Sequence, residues 1–411
     1  MKIRRSKNGI TISPYRIPTI LIAILFLLIP LDYILPHIGP ATIVTLASIT
    51  IILYGICYVL IHRRVMSFSN GSFSLVVLMA IFLVSIVWAI NRDAVFSRFA
   101  SVVNTFLLYL IITQFNYDKK TIVYIENASI IGAILLVVYI LFNINLDLLY
   151  AGYRLKFSQL GSEYFSDPNG LAGRIMVPIA IAIDRVLNSK SKFAVFLGMF
   201  LTSTLLYVLL LTGSRAGVIA VILIAMIFLF QGLDKKKNGV LVSLMLLVVF
   251  FLIAPRILPE HITQRVFNLN KYREVATVEG DRIDIWKHVI IDLFYSSPIF
   301  GYGGGCSGYA LAQFYGHIKA VHNSFLLVLC EVGFLGILPW LYFIIKQFRE
   351  AFKLRKYSTV ILPATIAVLF ISMTLDAFTE KYLWSIFIYI HIVSCCFDKE
   401  NAIENSRLPS L

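Results

Sequence analysis

The sequence predicts an all-α polytopic membrane protein with about twelve transmembrane helices and one large outside loop that contains an amphipathic helix. Three observations predict it. The mean hydropathy is +0.84 with 59% apolar residues. The charged fraction of 14% lies well below the roughly one quarter usual in soluble proteins. Apolar runs that approach the ~20 residues needed to cross ~30 Å of hydrocarbon recur along the chain. The 411 residues read as a single integral membrane domain, 1–411. A net charge of +14 would suit nucleic acid in a soluble protein, but most cations here sit in short connections between apolar runs, where they report topology. Nucleic acid is therefore not an expected partner. Of the five cysteines only Cys306 lies outside an apolar run, so they form no disulfide framework.

The basic stretch 1–7 precedes a run at 17–35. That run exceeds the apolar core of a signal peptide and lacks a small-x-small cleavage site, so it reads as a retained first span. Further runs lie at about 41–61, 72–90, 98–115, 121–143, 169–187, 193–212, 216–231, 239–254, 322–345, 358–378 and 381–397. With the N-terminus in the cytoplasm, every second connection falls inside. Those connections hold Arg63-Arg64, Lys119-Lys120, Arg185 with Lys190 and Lys192, Lys235 to Lys237, and Lys346 with Arg349, Lys353, Arg355 and Lys356. The short outside connections 36–40, 91–97, 213–214 and 379–380 are nearly bare of cations. The alternation fits twelve spans with both termini cytoplasmic.

Two outside segments remain, 143–168 and the large loop 256–320. A loop that long inside a compact domain is functional or disordered, and this one has the pattern of an ordered segment. Written as a helix, 280–295 puts Ile283, Ile285, Trp286, Val289, Ile290, Leu293 and Phe294 on one arc, and Asp281, Asp284, Lys287, His288 and Asp292 on the other side. Ser296-Ser297-Pro298 ends it. Arg282 projects from the apolar arc, which suits either a bound anion or a structural ion pair. His288 and Asp292 are spaced for a metal, but two ligands on an exposed face are weak evidence and a surface pair is the favoured reading. The glycines at 301–305 lack the context of a phosphate-binding loop and read as a hinge.

Four further places could carry chemistry. In the tight turn at 211–217, Ser214 can cap the following helix and put Arg215 at a helix N-terminus, where an anion is favoured. A snorkelled arginine beside an ordinary cap is the plainer alternative. Gly213 and Gly217 would let a bulky head group come close. His322 opens the run at 322–345 and is either a general base or a cap. Glu331 points away from it. After the turn Asp167-Pro-Asn-Gly170, Arg174 falls one turn inside a span, where it faces an interior cavity or a carboxylate, and it is a third candidate for an anion contact.

In order and spacing, Thr212-Gly-Ser-Arg-Ala-Gly217, Arg282-Ile-Asp-Ile-Trp286 with Ser297-Pro298 and Gly301-Tyr-Gly303, and His322-Asn-Ser-Phe-Leu326 with Glu331-Val-Gly333 resemble the O-antigen ligase and O-antigen polymerase superfamily. These are bacterial membrane glycosyltransferases of the GT-C type. The likeness covers a conserved core at about 190–345, and Asp167-Pro-Asn169 adds to it. It implies a metal-independent, inverting glycosyltransferase without a cofactor, working on the outer face of the cytoplasmic (inner) membrane. Its partners would be an undecaprenyl-pyrophosphate-linked glycan donor, a glycan or lipid-linked acceptor, membrane lipid and a chain-length regulator. Carried over by motif, Arg215 and Arg282 would stabilise the departing pyrophosphate and His322 would activate the acceptor hydroxyl. Ser214, Trp286, Asn323 and Arg174 would contact pyrophosphate or glycan. The forms at 213–217 and 322–326 look more like the polymerase and exopolysaccharide branch than like a ligase acting on lipid A core. A lipid-linked sugar flippase fits less well, because the two halves of the chain differ and the ionic candidates gather at the outer surface.

Overall fold

The computed structural model describes residues 16–38, 41–63, 65–68, 71–145, 154–155, 167–233, 255–267 and 282–405, with 147, 149 and 252. The basic stretch 1–7, the cations at 235–237, nearly all of the expected run 239–254 and most of the segment 143–168 lie outside the described residues. So does 280–281, where the amphipathic helix was expected to begin.

The described chain is almost wholly helical. It contains α1 (Arg16–Leu31), α2 (Ile43–Ile61), α3 (Phe73–Val84), α4 (Arg92–Ile112), α5 (Lys119–Asn143), α6 (Pro168–Asn188) and α7 (Lys192–Leu211). There follow α8 (Arg215–Leu233), α9 (Glu260–Phe267), α10 (Arg282–Lys287), α11 (Ser307–Tyr315), α12 (Ser324–Leu354), α13 (Ile361–Ser372) and α14 (Lys381–Asn405). A π-helical turn, His288–Leu293, and a last α turn, Phe294–Ser296, prolong α10. The strands are two residues each, His37–Ile38 against Ala41–Thr42. Side-chain caps fix several helix starts: Thr42 for α2, Asn91 for α4, Asp118 for α5 and Ser191 for α7 each accept a hydrogen bond from the first turn.

Among the described residues six helices, α2, α4, α5, α7, α8 and α12, are long and apolar enough to cross a membrane, and α1, α13 and α3 with its 3-10 extension are shorter and apolar. Two long helices fall outside this set, and both lie deep in the bundle. In α6 every residue from Gly170 to Ile183 is buried, and in α14 so is every residue from Tyr382 to Ser394. A helix surrounded by other helices has no lipid to satisfy, so it can carry Arg174 or Glu380-Lys381 at its end where a lipid-facing helix could not. Lipid-facing character shows on the outer helices instead, where Phe142, Phe193 and Phe200 are exposed.

The core between α4, α12 and α14 is aromatic. Trp384 packs on Phe106, Phe343 and Phe387, and Trp340 packs edge-on against Phe378. The connections of the bundle sort into two ends. At one end Lys119 pairs with Glu400, Lys399 donates to the Tyr117 carbonyl and Thr359 bonds Asp184. At the other lie the turns after α1, α3, α7 and α13, together with α9 to α11.

The glycine segment is a clamp rather than the hinge expected from the sequence. Helix α12 is broken at Gly333, whose φ of 60° and ψ of −155° are non-helical. Into the break the chain 298–303 lays its backbone: the Tyr302 and Gly303 N–H groups donate to the Cys330 and Glu331 carbonyls at 3.0 and 2.8 Å, and the Phe334 and Leu335 N–H groups donate to Pro298 and Ile299. A side chain at Gly301 would meet the Cys330 carbonyl at 2.6 Å, and one at Gly333 would strike the Ile299 carbonyl. Glycine is required because two backbones touch there, and the contact is held by four hydrogen bonds rather than left free to swing. Beside the break, buried Glu331 accepts from Arg98 at 3.1 Å and from Ser307 at 3.0 Å, away from His322.

Candidate functional site

The N-terminus of α12 is built as a fixed turn. Asn323 caps the helix through its side-chain oxygen, accepting from the Phe325 and Leu326 N–H groups at 2.9 and 3.1 Å. It is 8% exposed, so its amide oxygen holds the helix start. The residue before it, His322, has a φ of 54°, a left-handed conformation that costs a non-glycine residue about 1–2 kcal/mol. The surroundings hold it there. The Asp376 carboxylate accepts the Asn323 N–H at 3.1 Å, and a further backbone bond from His322. The Ser324 hydroxyl donates to the Leu375 carbonyl and accepts from the Ala377 N–H, both at 2.8 Å. The connection between α13 and α14 is thereby zipped to the start of α12.

From the other side, Trp286 of α10 donates its indole N–H to the Val321 carbonyl at 3.0 Å. The sequence reading placed Trp286 against substrate; in the structure its indole nitrogen is spent on tying α10 to the histidine turn. The buried stripe of α10 and its continuation is Ile285, Val289 and Leu293, whereas Ile283 and Ile290, expected on the same packed arc, are exposed. The π-helical turn shifts the register that a regular helix would keep. His288 hydrogen-bonds Asp292 at 2.7 Å and stacks on Phe314, the surface-pair reading of these two residues.

Electrostatics converge on the histidine. Burial pushes the His322 imidazole below its ordinary 6.5, Asp376 opposes that, and Arg282 adds to it. A ring so placed is neutral near pH 7 and able to accept a proton. Asp376 itself is pushed above the usual carboxylate range by burial, with His322 and the Asn323 N–H pulling the other way. Arg282, half-buried at the start of α10, is disfavoured as a cation first by burial and then by Arg265, while Asp167 and Asp376 favour it. His322, Arg282, Asp376 and Asp167 therefore belong to one electrostatic neighbourhood. Asp376 is the residue that sequence reasoning missed. An aspartate at the end of an otherwise apolar run is expensive in a membrane, and that was the available signal.

The turn between α7 and α8 forms the next wall. Ser214, 2% exposed, accepts the Gly217 N–H at 3.2 Å and so caps α8. Arg215 follows as its first residue and donates Nε to the Arg265 carbonyl at 2.7 Å. Arg265 of α9 returns its own Nε to the Gly213 carbonyl at 3.2 Å, and Arg154 donates Nε to the Thr212 carbonyl at 2.7 Å and an Nη to Asn169 at 2.8 Å. Asp167 caps α6 by accepting from Asn169 and Gly170. Of the two glycines expected to admit a head group, Gly217 instead lets α8 close on Leu209 and Ala172.

Arg174 stands apart. It is 4% exposed and lies 2.8 Å from Asp32 and 2.7 Å from Glu380, with its guanidinium 3.7 Å from the centre of the Tyr33 ring. Two carboxylates and an aromatic face satisfy this cation inside the bundle, so it belongs to a structural cluster that ties α1, α6 and α14, and not to the arginines of the turn. The structure brings together His322, Arg282, Ser214, Arg215 and Asn323 around the ends of α8, α10 and α12, and adds Asp376, Arg154 and Arg265.

None of the curated proteins compared with the chain matches it. Residues 199–341, which include Ser214, Arg215, Arg282, Trp286, His322 and Asn323 but neither Arg174 nor Asp376, match the family model described as O-antigen ligase, a match that supports the resemblance of that segment to the O-antigen ligase and polymerase superfamily.

Proposed function

We propose that this protein is a membrane glycosyltransferase that polymerises undecaprenyl-pyrophosphate-linked oligosaccharide repeat units into a surface polysaccharide such as O-antigen, capsule or exopolysaccharide. The observation that carries the reading is the juxtaposition of a half-buried His322, held in place by the turn that Asp376 anchors, with Arg282 at the start of α10. A base beside guanidinium groups suits transfer of a sugar from a phosphate leaving group to a hydroxyl. His322 takes the acceptor hydroxyl proton as the oxygen attacks the anomeric carbon of the donor. The bond from that carbon to the phosphate oxygen breaks from the opposite side, which inverts the anomeric centre. The electron pair leaves with the lipid pyrophosphate, whose growing charge Arg215 and Arg282 meet. The imidazolium then returns its proton to solvent, and Asp376 stabilises it meanwhile. No metal enters this scheme, because guanidinium groups supply the positive charge.

In this reading twelve spans cross the cytoplasmic membrane with both termini inside, and the loop 256–320 faces outward with the site. The cation-rich connections at the opposite end of the bundle support that orientation. A second reading, ligation of the finished glycan to lipid A core or another acceptor, is favoured by the description of the matched family. The test is the purified protein given lipid-pyrophosphate-linked repeat unit alone, with Arg215→Ala as control. A ladder of longer glycans that the variant loses is the expected result. A donor consumed only when lipid A core is added would favour the ligase, and a donor that survives every acceptor would overturn the enzyme reading.

A further inference from the structure

Helix α3 is too short for the layer it crosses. Its twelve residues and the three of its 3-10 extension, Ser85–Val87, rise about 24 Å, against ~30 Å of hydrocarbon. It runs beside α12: two residues before its start Gly71 lies against Lys346, and Leu78 lies beside Gly336. At its far end the Ser85 hydroxyl accepts the Gly304 N–H at 2.9 Å, and Trp88 donates its indole N–H to the Phe300 carbonyl at 3.0 Å. Helix α3 therefore stops level with the break at Gly333, and the chain 298–304 stands where its next turns would be.

The depth of that level follows from α12. Lys346 is the first cation met along the helix from Ser324, and a charge of this kind marks the edge of the hydrocarbon. Counting back the ~20 residues of a span puts the opposite edge near Leu326, so the break at Gly333 lies about 10 Å inside it. The chain descends to the break from the His322 end. Trp286 is tied to the Val321 carbonyl, just before α12, whereas the Phe294 ring packs edge-on against Phe334 at 5.0 Å. It returns through α11, whose Ser307 donates to Glu331, and reaches Val321 again.

Irregular backbone at such a depth has no water to bond, so its polar groups must be paired within the protein. Every carbonyl from Pro298 to Gly303 accepts a hydrogen bond. The donors are the Phe334 and Leu335 N–H groups, the Trp88 indole, the Ser297 hydroxyl, and the Ile90 and Cys306 N–H groups, in that order. A loop in water needs no such completeness. Its side chains match the same surroundings: Ile299 and Phe300 are exposed, flanked by exposed Val84 and Val87 at the end of α3 and by exposed Phe334 and Leu335 on α12. This apolar surface continues the flank of two helices that line a membrane-crossing bundle.

We infer that residues 294–303 form a re-entrant segment embedded in the leaflet nearer His322, with Ile299 and Phe300 against lipid acyl chains, a placement that goes beyond the proposed reaction and does not depend on it. The segment completes the span that α3 leaves short.

The test uses the full chain in phospholipid nanodiscs. A nitroxide is attached to Ile299→Cys, Phe300→Cys and, as a control from the same loop, Ile318→Cys, which is exposed a few residues before α12. Each carries Cys57→Ser, because Cys57 is exposed and the other four cysteines are buried or half-buried; the Cys57→Ser protein alone reports any label on those four. At 299 and 300 oxygen should relax the spin at least threefold more effectively than a water-soluble nickel complex, and at 318 the order should reverse. Nickel access at 299 and 300 equal to that at 318 would overturn the inference. Should a cysteine variant fail to fold, the unaltered protein decides, with a phospholipid that carries a diazirine midway along one acyl chain. Photolysis should leave adducts on Ile299 or Phe300 as well as on the exposed face of α12, and adducts on α12 with none at 299–300 would overturn it. Neither readout requires sugar transfer, so a protein that leaves every donor intact refutes the proposed reaction without moving these results.

Discussion

Asp376→Asn isolates the charge behind His322. The amide keeps one carbonyl oxygen for the Asn323 N–H, bonded at 3.1 Å in the native turn, so the left-handed conformation of His322 is still supported from the same place. What disappears is the negative charge. A hydrogen bond to an ionised acceptor contributes about 1.5–3 kcal/mol against about 0.5–1.5 for a neutral one, a difference of about 1–2 kcal/mol. If the imidazolium forming in the transition state feels that difference, kcat falls roughly 5- to 30-fold. The pH profile gives a second readout. A base works deprotonated, so activity is present above the apparent pKa of His322 and lost as pH falls through it. Burial already places that value below 6.5 with Asp376 opposing. Removing the carboxylate removes the opposition, so the acid limb should move to lower pH while the plateau drops. Initial rates of donor consumption between pH 4.5 and 8 measure both effects. A variant with kcat within twofold of the unaltered protein and an unmoved acid limb would refute the role given to Asp376.

Three other substitutions follow from the packing. Gly333→Ala places a methyl against the Ile299 carbonyl at a left-handed φ, so it should destabilise by about 2–3 kcal/mol and lower the melting temperature in detergent, whereas unchanged melting would mean the clamp is loose. Arg98→Ala leaves the fully buried Glu331 without its cation, a loss of roughly 3 kcal/mol that Glu331→Gln in the same chain should partly restore, as a double-mutant melting series would show. Trp286→Phe removes the bond to the Val321 carbonyl and should cost about 1 kcal/mol, lowering the melting temperature by about 1–2 °C and kcat less than tenfold.

The helices were legible because lipid leaves a long apolar run little else to become. Eleven of the twelve expected runs contain a helix, and the remaining one, 239–254, lies outside the described residues apart from one position. Contacts between distant segments were not legible. The run at 358–378 absorbed Asp376, although α13 stops at Ser372 and leaves the aspartate in a turn. Glu331 was seen to point away from His322, but its partner Arg98 sits 233 positions earlier, and no periodicity joins them. Arg154 and Arg265 carry no motif, and only the fold brings both to Gly213. The glycines at 301–305 read as freedom because their use, close approach to a second backbone, depends on a break in α12 that Gly333 announces but does not explain. For Arg174 the sequence left open an interior cavity or a carboxylate, and its partners Asp32 and Glu380 lie on segments 142 and 206 positions away that no pattern joins to it.

The broken helix also bears on how the protein comes to be inserted. In hydrocarbon an unpaired backbone group costs several kcal/mol, and the Cys330 and Glu331 carbonyls and the Phe334 and Leu335 N–H groups are paired across the break by the chain at 298–303. That chain is made before α12 and must already be waiting when the helix arrives, or α12 must enter unbroken and open onto it afterwards. Either way α12 cannot settle as an independent span. In chimaeras between relatives, the block from about 297 to 341 should therefore be exchanged whole, and a junction placed between 303 and 330 should yield protein that is degraded before it can be assayed.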